Sequence, residues 1–351
     1  MRPVIFKAMD SLSQLMLGGA VAAAIAPPVH RRAALLAGAA LGTLPDLDSL
    51  VIGLFTQDPV QLMTLHRGAS HSLLVLPWLA ALIWWGFRRL GGRVAAAPRR
   101  WFWAMQAVLI THPLLDAFTA YGTQLWWPLP LAPTWWSSVF IIDPLYTVWL
   151  LLACALAWAA PMGRLAQPAL WAGLLLSTGY LGWSVAAKAA VERAAQAALA
   201  PLGLQHAPRF AVAAPFNTLL WRVVVLTPGG YLIGDRSLVA DRGPMRLSAH
   251  ASDTAALRAA AQVPAVQRLH WFNGGFMRAQ VRGDVLVLSD LRMGLEPAYS
   301  FNFAVARRAA GGGWQAMPVQ IVSPGAGAVF SRAGIGVAAR QVWQRVWQAP
   351  D

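Results

Sequence analysis

Aspartate and histidine residues recur in four successive apolar stretches of the first half of this sequence. They are Asp46 and Asp48, His66 and His71, His112 and Asp116, and Asp143. A charged side chain inside a membrane segment is costly, so it indicates a functional role by default. Imidazole and carboxylate groups together suit zinc, manganese or iron better than calcium or magnesium. The residue types therefore predict a site for a divalent metal ion, with zinc expected and manganese or iron as alternatives.

The spacing within these pairs also suits metal binding. His112 and Asp116 are four residues apart, and a helix brings such positions to one face. Asp46 and Asp48 follow Pro45 and flank one apolar residue, so their like charges would repel unless a cation lies between them. We predict one or two divalent ions held by Asp46, Asp48, His66, His71, His112 and Asp116.

Each of these residues also has a plain structural interpretation. An aspartate after a proline can cap a helix, and His71 can simply pack at a helix start. His112 and Asp116 can form a hydrogen-bonded pair within one helix. The ligand interpretation rests on the set as a whole, because separate stretches place the same residue types at one membrane face.

Further residues are predicted to assist the ligands. Arg67 cannot deprotonate, so it suits a clamp for a substrate phosphate rather than a ligand. Asp48 is a candidate general base as well as a candidate ligand. Ser70, Thr111 and Asp143 are predicted to support the ligands by hydrogen bonds, as the partners of metal-bound histidines commonly do.

The elements that must position these residues are membrane helices. The chain has 351 residues, of which 57% are hydrophobic and 12% charged, whereas a soluble domain has about 25% charged residues. Apolar stretches near the length of about 20 residues that a bilayer requires lie at 11–29, 33–55, 70–87, 101–122, 139–160 and 168–187. We predict an all-α transmembrane bundle of five or six helices over residues 1–188. Gly18, Gly19, Gly38 and Gly42 would allow its helices to pack closely.

The net charge of +14 is interpreted as a topology signal rather than as a nucleic-acid site. Many N-terminal arginines lie in short loops between apolar stretches, and such loops follow the positive-inside rule. The basic loops at 30–32 and 88–100 and Arg164 are then cytoplasmic. By this topology the candidate ligands fall at the outer face of the membrane, and the C-terminal domain lies outside as well. The expected partners are membrane lipids, with no nucleic acid.

The residues from 189 to 351 are predicted to form a separate α+β domain with a mainly antiparallel sheet. Hairpins with Gly-containing turns are expected at 220–233 and 276–288, because alternating apolar residues flank the turns. A further strand is expected at 299–306 and a helix near 184–200. The single cysteine, Cys154, excludes an intramolecular disulfide and a cysteine-based metal site.

These motifs resemble those of a family of bacterial inner-membrane proteins described as predicted metal-dependent hydrolases, of which some are LexA-regulated. The matching segments are residues 9–12, 45–48, 66–72, 111–116, 121–123, 142–146, 215–222 and 290–294. The spacing of His112 and Asp116 is also similar to a motif of zinc-dependent phospholipases C, which points to phosphoester substrates. Ser13 and Gln14 depart from the family, since many members have a histidine after a threonine there. This departure argues against a further ion beside the first helix.

The leading hypothesis is a hydrolase at the outer face of the bacterial inner membrane, with its C-terminal domain in the periplasm. It is expected to cleave a phosphoester or lipid-linked substrate by metal-activated water. Two other hypotheses stay open. One is a cation transporter, which requires polar residues to continue through several spans. The other is a regulatory or structural membrane protein in which a bound metal only staples helices together.

Overall fold

A computed structural model describes residues 4–323 and 332–350, but the side chains of residues 4–11, 332–335, 337 and 338 lie outside the description, and these include Met9, Asp10 and Ser11. The chain divides into two compact units. The helical unit comprises Met1–Val51, His66–Trp136 and Ile141–Ser184, and the sheet unit comprises Ile52–Leu65, Ser137–Phe140 and Val185–Asp351. The short segments 52–65 and 137–140 therefore belong to the sheet unit, although the sequence analysis assigned them to the helical part.

The first nine helices account for nearly all regular structure up to residue 199. They are α1 Val4–Ile25, α2 Arg31–Thr43, α3 Asp48–Phe55, α4 Pro59–Leu65, α5 Leu76–Leu90, α6 Gly92–Ala96, α7 Pro98–Ala117, α8 Pro144–Ala159 and α9 Ala166–Leu199. Proline occupies the first turn of α5, α7 and α8, where its missing N–H is not needed. Pro144 thus begins α8 instead of interrupting a predicted span.

Close packing of α1 against α2 depends on glycine. A Cβ atom added to Gly18 would collide with the carbonyl oxygen of Gly38, and one added to Gly38 would collide with that of Gly18. A Cβ at Gly42 would lie 2.5 Å from the carbonyl oxygen of Gln14. The predicted role of these glycines is confirmed, and their contact brings the C-terminal end of α2 close to α1.

The number of predicted spans is not confirmed. Among the described residues, two helical segments are long and apolar enough to cross a membrane, Pro28–Phe55 and Ala166–Leu202. A third span results if Pro59–His71 and Leu76–Leu90, bent by 60°, are counted as one. The 16 residues of α8 rise only about 24 Å, which is less than the roughly 30 Å of a bilayer core.

The sheet unit confirms the predicted antiparallel architecture. Its strands are β1 Arg209–Ala213, β2 Leu220–Thr227, β3 Gly230–Ser237, β4 Ser248–Ala251, β5 Met277–Arg282, β6 Val285–Asp290, β7 Gly294–Leu295, β8 Ala298–Tyr299, β9 Asn302–Arg308 and β10 Trp314–Ile321. In the part of the chain that the structure describes, they form sheets of order β1-β2-β3-β4, β10-β9-β6-β5 and β7-β8. The predicted hairpins are β2 with β3 and β5 with β6, and β9 is the further predicted strand.

Helices cover these sheets through apolar faces. Ala187, Val191, Ala195 and Leu199 recur every four residues on α9 and join the core that contains Trp221 of β2. The predicted helix near 184–200 is thus the C-terminal part of α9, continuous with the last predicted span. The remaining helices are α10 Thr254–Ala259, α11 Pro264–Asn273 and α12 Arg332–Trp347.

Candidate metal centre

Three segments of the helical unit bring the candidate ligands together. The first is the 3-10 turn Pro45–Leu47 that follows α2, and it carries Asp46. The second is the 3-10 turn Ala69–His71, and the third is the last part of α7, with His112 and Asp116. Asp46, His71, His112 and Asp116, here called the metal cluster, each offer one ligand atom, and these atoms all lie within 4.8 Å of one another.

The separations between these atoms suit one metal ion. His71 Nε2 lies 3.0 Å from His112 Nε2, 3.1 Å from Asp116 Oδ2 and 3.3 Å from Asp46 Oδ1. His112 Nε2 lies 3.6 Å from Asp46 Oδ1 and 3.5 Å from Asp116 Oδ2. In a tetrahedral zinc site with bonds of about 2.0–2.1 Å, ligand atoms are about 3.3–3.4 Å apart, because a tetrahedron's edge is about 1.6 times its centre-to-vertex distance. Five of the six separations are therefore close to those of a tetrahedral site, and the sixth, between Asp46 and Asp116, is within 4.8 Å.

Hydrogen bonds at the other ring nitrogen fix the tautomer of both histidines. His112 Nδ1 lies 2.6 Å from the carbonyl oxygen of Gly42, which can only accept, so Nδ1 carries the proton. Ser70 Oγ donates to Asp48 Oδ2 over 2.5 Å and therefore accepts from His71 Nδ1 over 2.9 Å. In the neutral rings, both Nε2 atoms consequently present lone pairs to each other.

One carboxylate oxygen of each aspartate in the metal cluster also lacks a hydrogen-bond donor. Asp46 Oδ1 and Asp116 Oδ2 are buried and have no hydrogen-bond partner among the described residues. An unsatisfied buried acceptor costs about 1–3 kcal/mol, and more when it is charged. Four lone pairs thus point toward one another without a proton between them, and a cation stabilises such an arrangement. The residues present therefore fit a divalent metal ion.

Asp48 and His66 lie beside the metal cluster rather than in it. Both oxygens of Asp48 are engaged: Oδ1 by His66 Nδ1 at 2.6 Å, and Oδ2 by Ser70 and by the backbone N–H of Arg67 at 3.1 Å. Asp48 thus orients His71 through Ser70, in the way that carboxylates orient metal-bound histidines. Ser70 thus contacts His71 Nδ1, and its support of a metal-bound histidine stays a prediction.

Arg67 does not face an open site. Its side chain is 2% exposed, and its Nε lies 3.1 Å from Asp116 Oδ2. Its backbone adopts a φ of +62°, a left-handed conformation that is strained for a residue with a side chain. This turn lets the backbone N–H reach Asp48 while the guanidinium reaches Asp116. Arg67 therefore offsets the charge of Asp116, and its contact with a substrate phosphate stays a prediction.

Thr111 and Asp143 make contacts other than the predicted ones. Thr111 Oγ1 donates to the carbonyl oxygens of Ala107 and Val108 in its own helix. Asp143 caps α8 by accepting from the N–H groups of Leu145 and Tyr146, and it also accepts from the Tyr180 hydroxyl at 2.8 Å. Asp143 is therefore a helix cap in this structure.

Sequence reasoning missed two residues that hold Asp116. Gln14 is 1% exposed and donates through Nε2 to Asp116 Oδ1 over 2.9 Å. Thr119 Oγ1 donates to the backbone oxygen of Asp116 over 2.7 Å and contacts Arg67 Nη1 at 3.2 Å. The departure from the family motif at Gln14 was a signal that this position faces the site. For Thr119, the signal is its position three residues after Asp116.

A loop after α7 holds the histidine segment in place. Gln124 donates its backbone N–H to the carbonyl oxygen of Arg67, and Leu73 donates to that of Leu125. Ser72 Oγ donates to the carbonyl oxygen of Trp127 over 2.6 Å. These bonds fix the backbone on both sides of His71, so the ligand geometry does not depend on a free loop.

Comparison with known proteins identifies one family. The model of the family described as YdjM inner membrane protein matches residues 9–191, which include all four residues of the metal cluster. No curated protein and no solved structure matches the chain.

Proposed function

The chain belongs to the YdjM inner membrane protein family, and from that premise we propose that it is a membrane hydrolase that depends on a divalent metal ion, with zinc as the expected ion. The supporting observation is the convergence of four buried acceptor atoms from Asp46, His71, His112 and Asp116. The proposed substrate is a phosphoester, and more narrowly a lipid or lipid-linked one, because the site is carried by helices of a membrane protein. The similarity of His112 and Asp116 to the motif of zinc-dependent phospholipases C favours the same substrate class.

The roles of the residues follow from their exposure and partners. When bound, a divalent ion supplies Lewis-acid chemistry that polarises a substrate oxygen and activates water. Asp46 has a side chain that is 21% exposed, whereas those of His71, His112 and Asp116 are 0–1% exposed. Substrate therefore approaches from the side of Asp46. Arg67 and Gln14 hold Asp116 in a fixed orientation.

Asp48 and His66 form the pair that we propose moves a proton. Asp48 Oδ1 accepts from His66 Nδ1, so the neutral ring keeps a lone pair on Nε2. The His66 side chain is 21% exposed and lies next to the metal cluster, with its ring centroid 5.8 Å from that of His71. His66 thus replaces Asp48 as the proposed general base, and Asp48 orients it.

The test separates metal binding from turnover. The full-length chain is purified in detergent, loaded with Zn²⁺ and analysed for bound metal. It is then assayed on bis(p-nitrophenyl) phosphate, phosphatidylglycerol and phosphatidylethanolamine. We expect His112→Ala to lose both metal and turnover, His66→Ala to keep the metal and lose turnover, and Thr111→Ala to keep both. Metal-loaded wild type that cleaves none of these substrates would overturn the proposal.

A metal staple is the second candidate, and the burial of three of the four ligands favours it. A staple joins the end of α2, the His71 turn and α7, so removing the metal would lower the melting temperature without any turnover to lose. Chelation of wild type followed by a thermal melt, beside the substrate panel, distinguishes the two.

We also propose that the metal cluster faces the periplasm and that the arginine-rich loops face the cytoplasm. The support is the positive-inside rule applied to Arg31, Arg32, Arg88, Arg89 and Arg164. Alkaline phosphatase fused after residue 351 is expected to be active, because it matures only outside the cytoplasm. An inactive enzyme on a chain present in the membrane would contradict this topology. LexA-type regulation remains a prediction of the resemblance.

A further inference from the structure

The two ends of the helical unit have opposite charge. α7 begins with Arg99 and Arg100 and ends at the metal cluster, while α5 runs from the His71 turn to Arg88 and Arg89. The sequence has no acidic residue between Asp58 and Asp116 or between Asp143 and Glu192. The end that carries these arginines, here called the arginine end, therefore has no carboxylate nearby in sequence to neutralise it.

A groove of about 510 Å³ opens at the arginine end. Its walls come from the end of α1, the turn before α2, the first two turns of α7 and the start of α9. Residues that line it are Ile25, Pro28, Arg99, Arg100, Trp103 and Gln167. Apolar and basic side chains thus share one concave surface.

The two guanidinium groups of this groove are available to a ligand. Arg99 and Arg100 are exposed, and neither has an ion pair or hydrogen bond within the described residues. By contrast, Arg32, Arg88 and Arg89 at the same end each lie over a tryptophan ring at 5.2–5.7 Å.

The opposite wall is rigid and polar. Gln167 donates through Nε2 to the carbonyl oxygen of Ala24 over 2.8 Å and accepts from Arg31 Nη2 over 2.7 Å. Arg31 is itself buried, at 2% exposure, and also donates to the carbonyl oxygen of Pro161. These bonds fix Gln167, so the groove is preformed on this side.

We propose that this groove binds the phosphodiester headgroup of an anionic phospholipid. Arginine forks bind phosphate oxygens in bidentate fashion, and basic pockets between membrane helices bind anionic headgroups. Trp103 is 61% exposed, and tryptophan prefers the level of the headgroups. Ile25 and Pro28 supply an apolar wall against which the glycerol and first methylenes pack. A zwitterionic headgroup would leave the two arginines without a net counter-charge.

Native mass spectrometry of the full-length chain in detergent tests the site. The chain is titrated with phosphatidylglycerol, with phosphatidylcholine and with soluble glycerol 3-phosphate. We expect retained phosphatidylglycerol on wild type. Its affinity should fall about tenfold or more in Arg99→Gln/Arg100→Gln, since each basic group near an anionic surface contributes roughly fivefold. The matched control Arg88→Gln/Arg89→Gln removes two charges from the same end and should lower the affinity less, because Arg88 and Arg89 do not line the groove.

Two results would overturn the proposal. One is an equal loss in both double variants, which would indicate a diffuse charge effect. The other is competition by glycerol 3-phosphate as strong as that by phosphatidylglycerol, which would indicate a site for soluble phosphate. If the Arg99/Arg100 variant does not fold, as judged by its thermal melt, a photoactivatable phosphatidylglycerol is applied to wild type. Crosslinks on the peptide containing residues 99–103 support the groove, and crosslinks only elsewhere refute it.

Discussion

The two units bury charge in different ways. In the sheet unit, Asp290 and Arg292 are each 2% exposed and form a closed pair. The Arg292 Nε and Nη2 atoms donate to the two Asp290 oxygens over 3.0 and 2.7 Å, and the Arg292 backbone N–H adds a bond of 2.9 Å. In the helical unit, Asp46 and Asp116 each keep an oxygen with no hydrogen-bond partner among the described residues.

This difference separates a structural ion pair from a candidate site. A buried carboxylate whose oxygens all accept hydrogen bonds has no free lone pair for a ligand. Its removal therefore affects folding alone. A set of buried acceptors that outnumbers its donors is stable only with a cation or a proton between them. Asp116 is as deeply buried as Asp290, so the number of hydrogen-bond donors at each carboxylate, rather than its burial, distinguishes the two places.

The largest expected effect is the loss of metal from His112→Ala. Removing one of four ligands opens the site, so we expect no metal to remain after gel filtration, as measured by elemental analysis of the detergent-purified chain. Asp290→Ala should keep the metal content of wild type. If His112→Ala and wild type contained equal amounts of metal, the buried acceptors of the helical unit would not form a metal site, and the contrast with the sheet unit would be lost.

The next effect is the destabilisation caused by Asp290→Ala. The change removes the carboxylate that pairs with the buried Arg292 charge, and breaking a buried ion pair from one side costs about 3–5 kcal/mol of unfolding free energy. The control is Asp284→Ala, which breaks an ion pair to Arg307 whose side chains are 60–61% exposed and should cost less than about 1 kcal/mol. Thermal melts of the full-length variants measure both. Similar losses in the two variants would contradict a special role for the closed pair.

A smaller effect is expected from Ser70→Ala. The hydroxyl links Asp48 to His71 Nδ1, so its loss frees the tautomer of His71. Metal affinity should fall about 10–100-fold, as for other partners of metal-bound histidines. Thr111→Ala removes a hydroxyl of the same kind that bonds only to helix carbonyls, and competition with a chelator should give the wild-type affinity. If Ser70→Ala and Thr111→Ala bound metal with the same affinity, the proposal that Ser70 orients His71 would be wrong.

The smallest effect concerns pH and the last helix of the sheet unit. Burial raises the pKa of Asp241, but hydrogen bonds from Arg345 and the Ser237 N–H, with the charges of Arg345 and Arg236, outweigh it, so the pKa lies below its ordinary value. A depressed folded-state pKa contributes stability above the unfolded pKa of about 4, and this stability is lost as pH falls through the lower folded value. The difference in melting temperature between wild type and Arg345→Gln should therefore shrink as pH falls from about 7 to about 3. A constant difference would show that the pair contributes no pH-dependent stability to α12.

Much of the local structure could be predicted from the sequence. The turns at Pro228 and Gly283 between alternating apolar residues were sufficient for the two hairpins, because strand pairing across a tight turn is a local property. The span count was not predictable in the same way. Hydropathy marked residues 139–160 as one span, but α8 begins only at Pro144 and its 16 residues are too short to cross a bilayer core.

The sequence by itself determined the chemistry of the site: imidazole and carboxylate groups at one end of a set of apolar helices, with arginines at the other. Only the tertiary structure decided that Asp46, His71, His112 and Asp116 converge while Asp48 and His66 pair with each other. The reason is one of scale. Periodicity assigns a residue to a face of a helix, but ligation requires lone pairs aimed at one point about 2 Å away. The direction of these lone pairs depends on contacts between segments that are remote in sequence. Examples are the hydrogen bond from His112 to the Gly42 carbonyl oxygen and the glycine contact of α1 with α2.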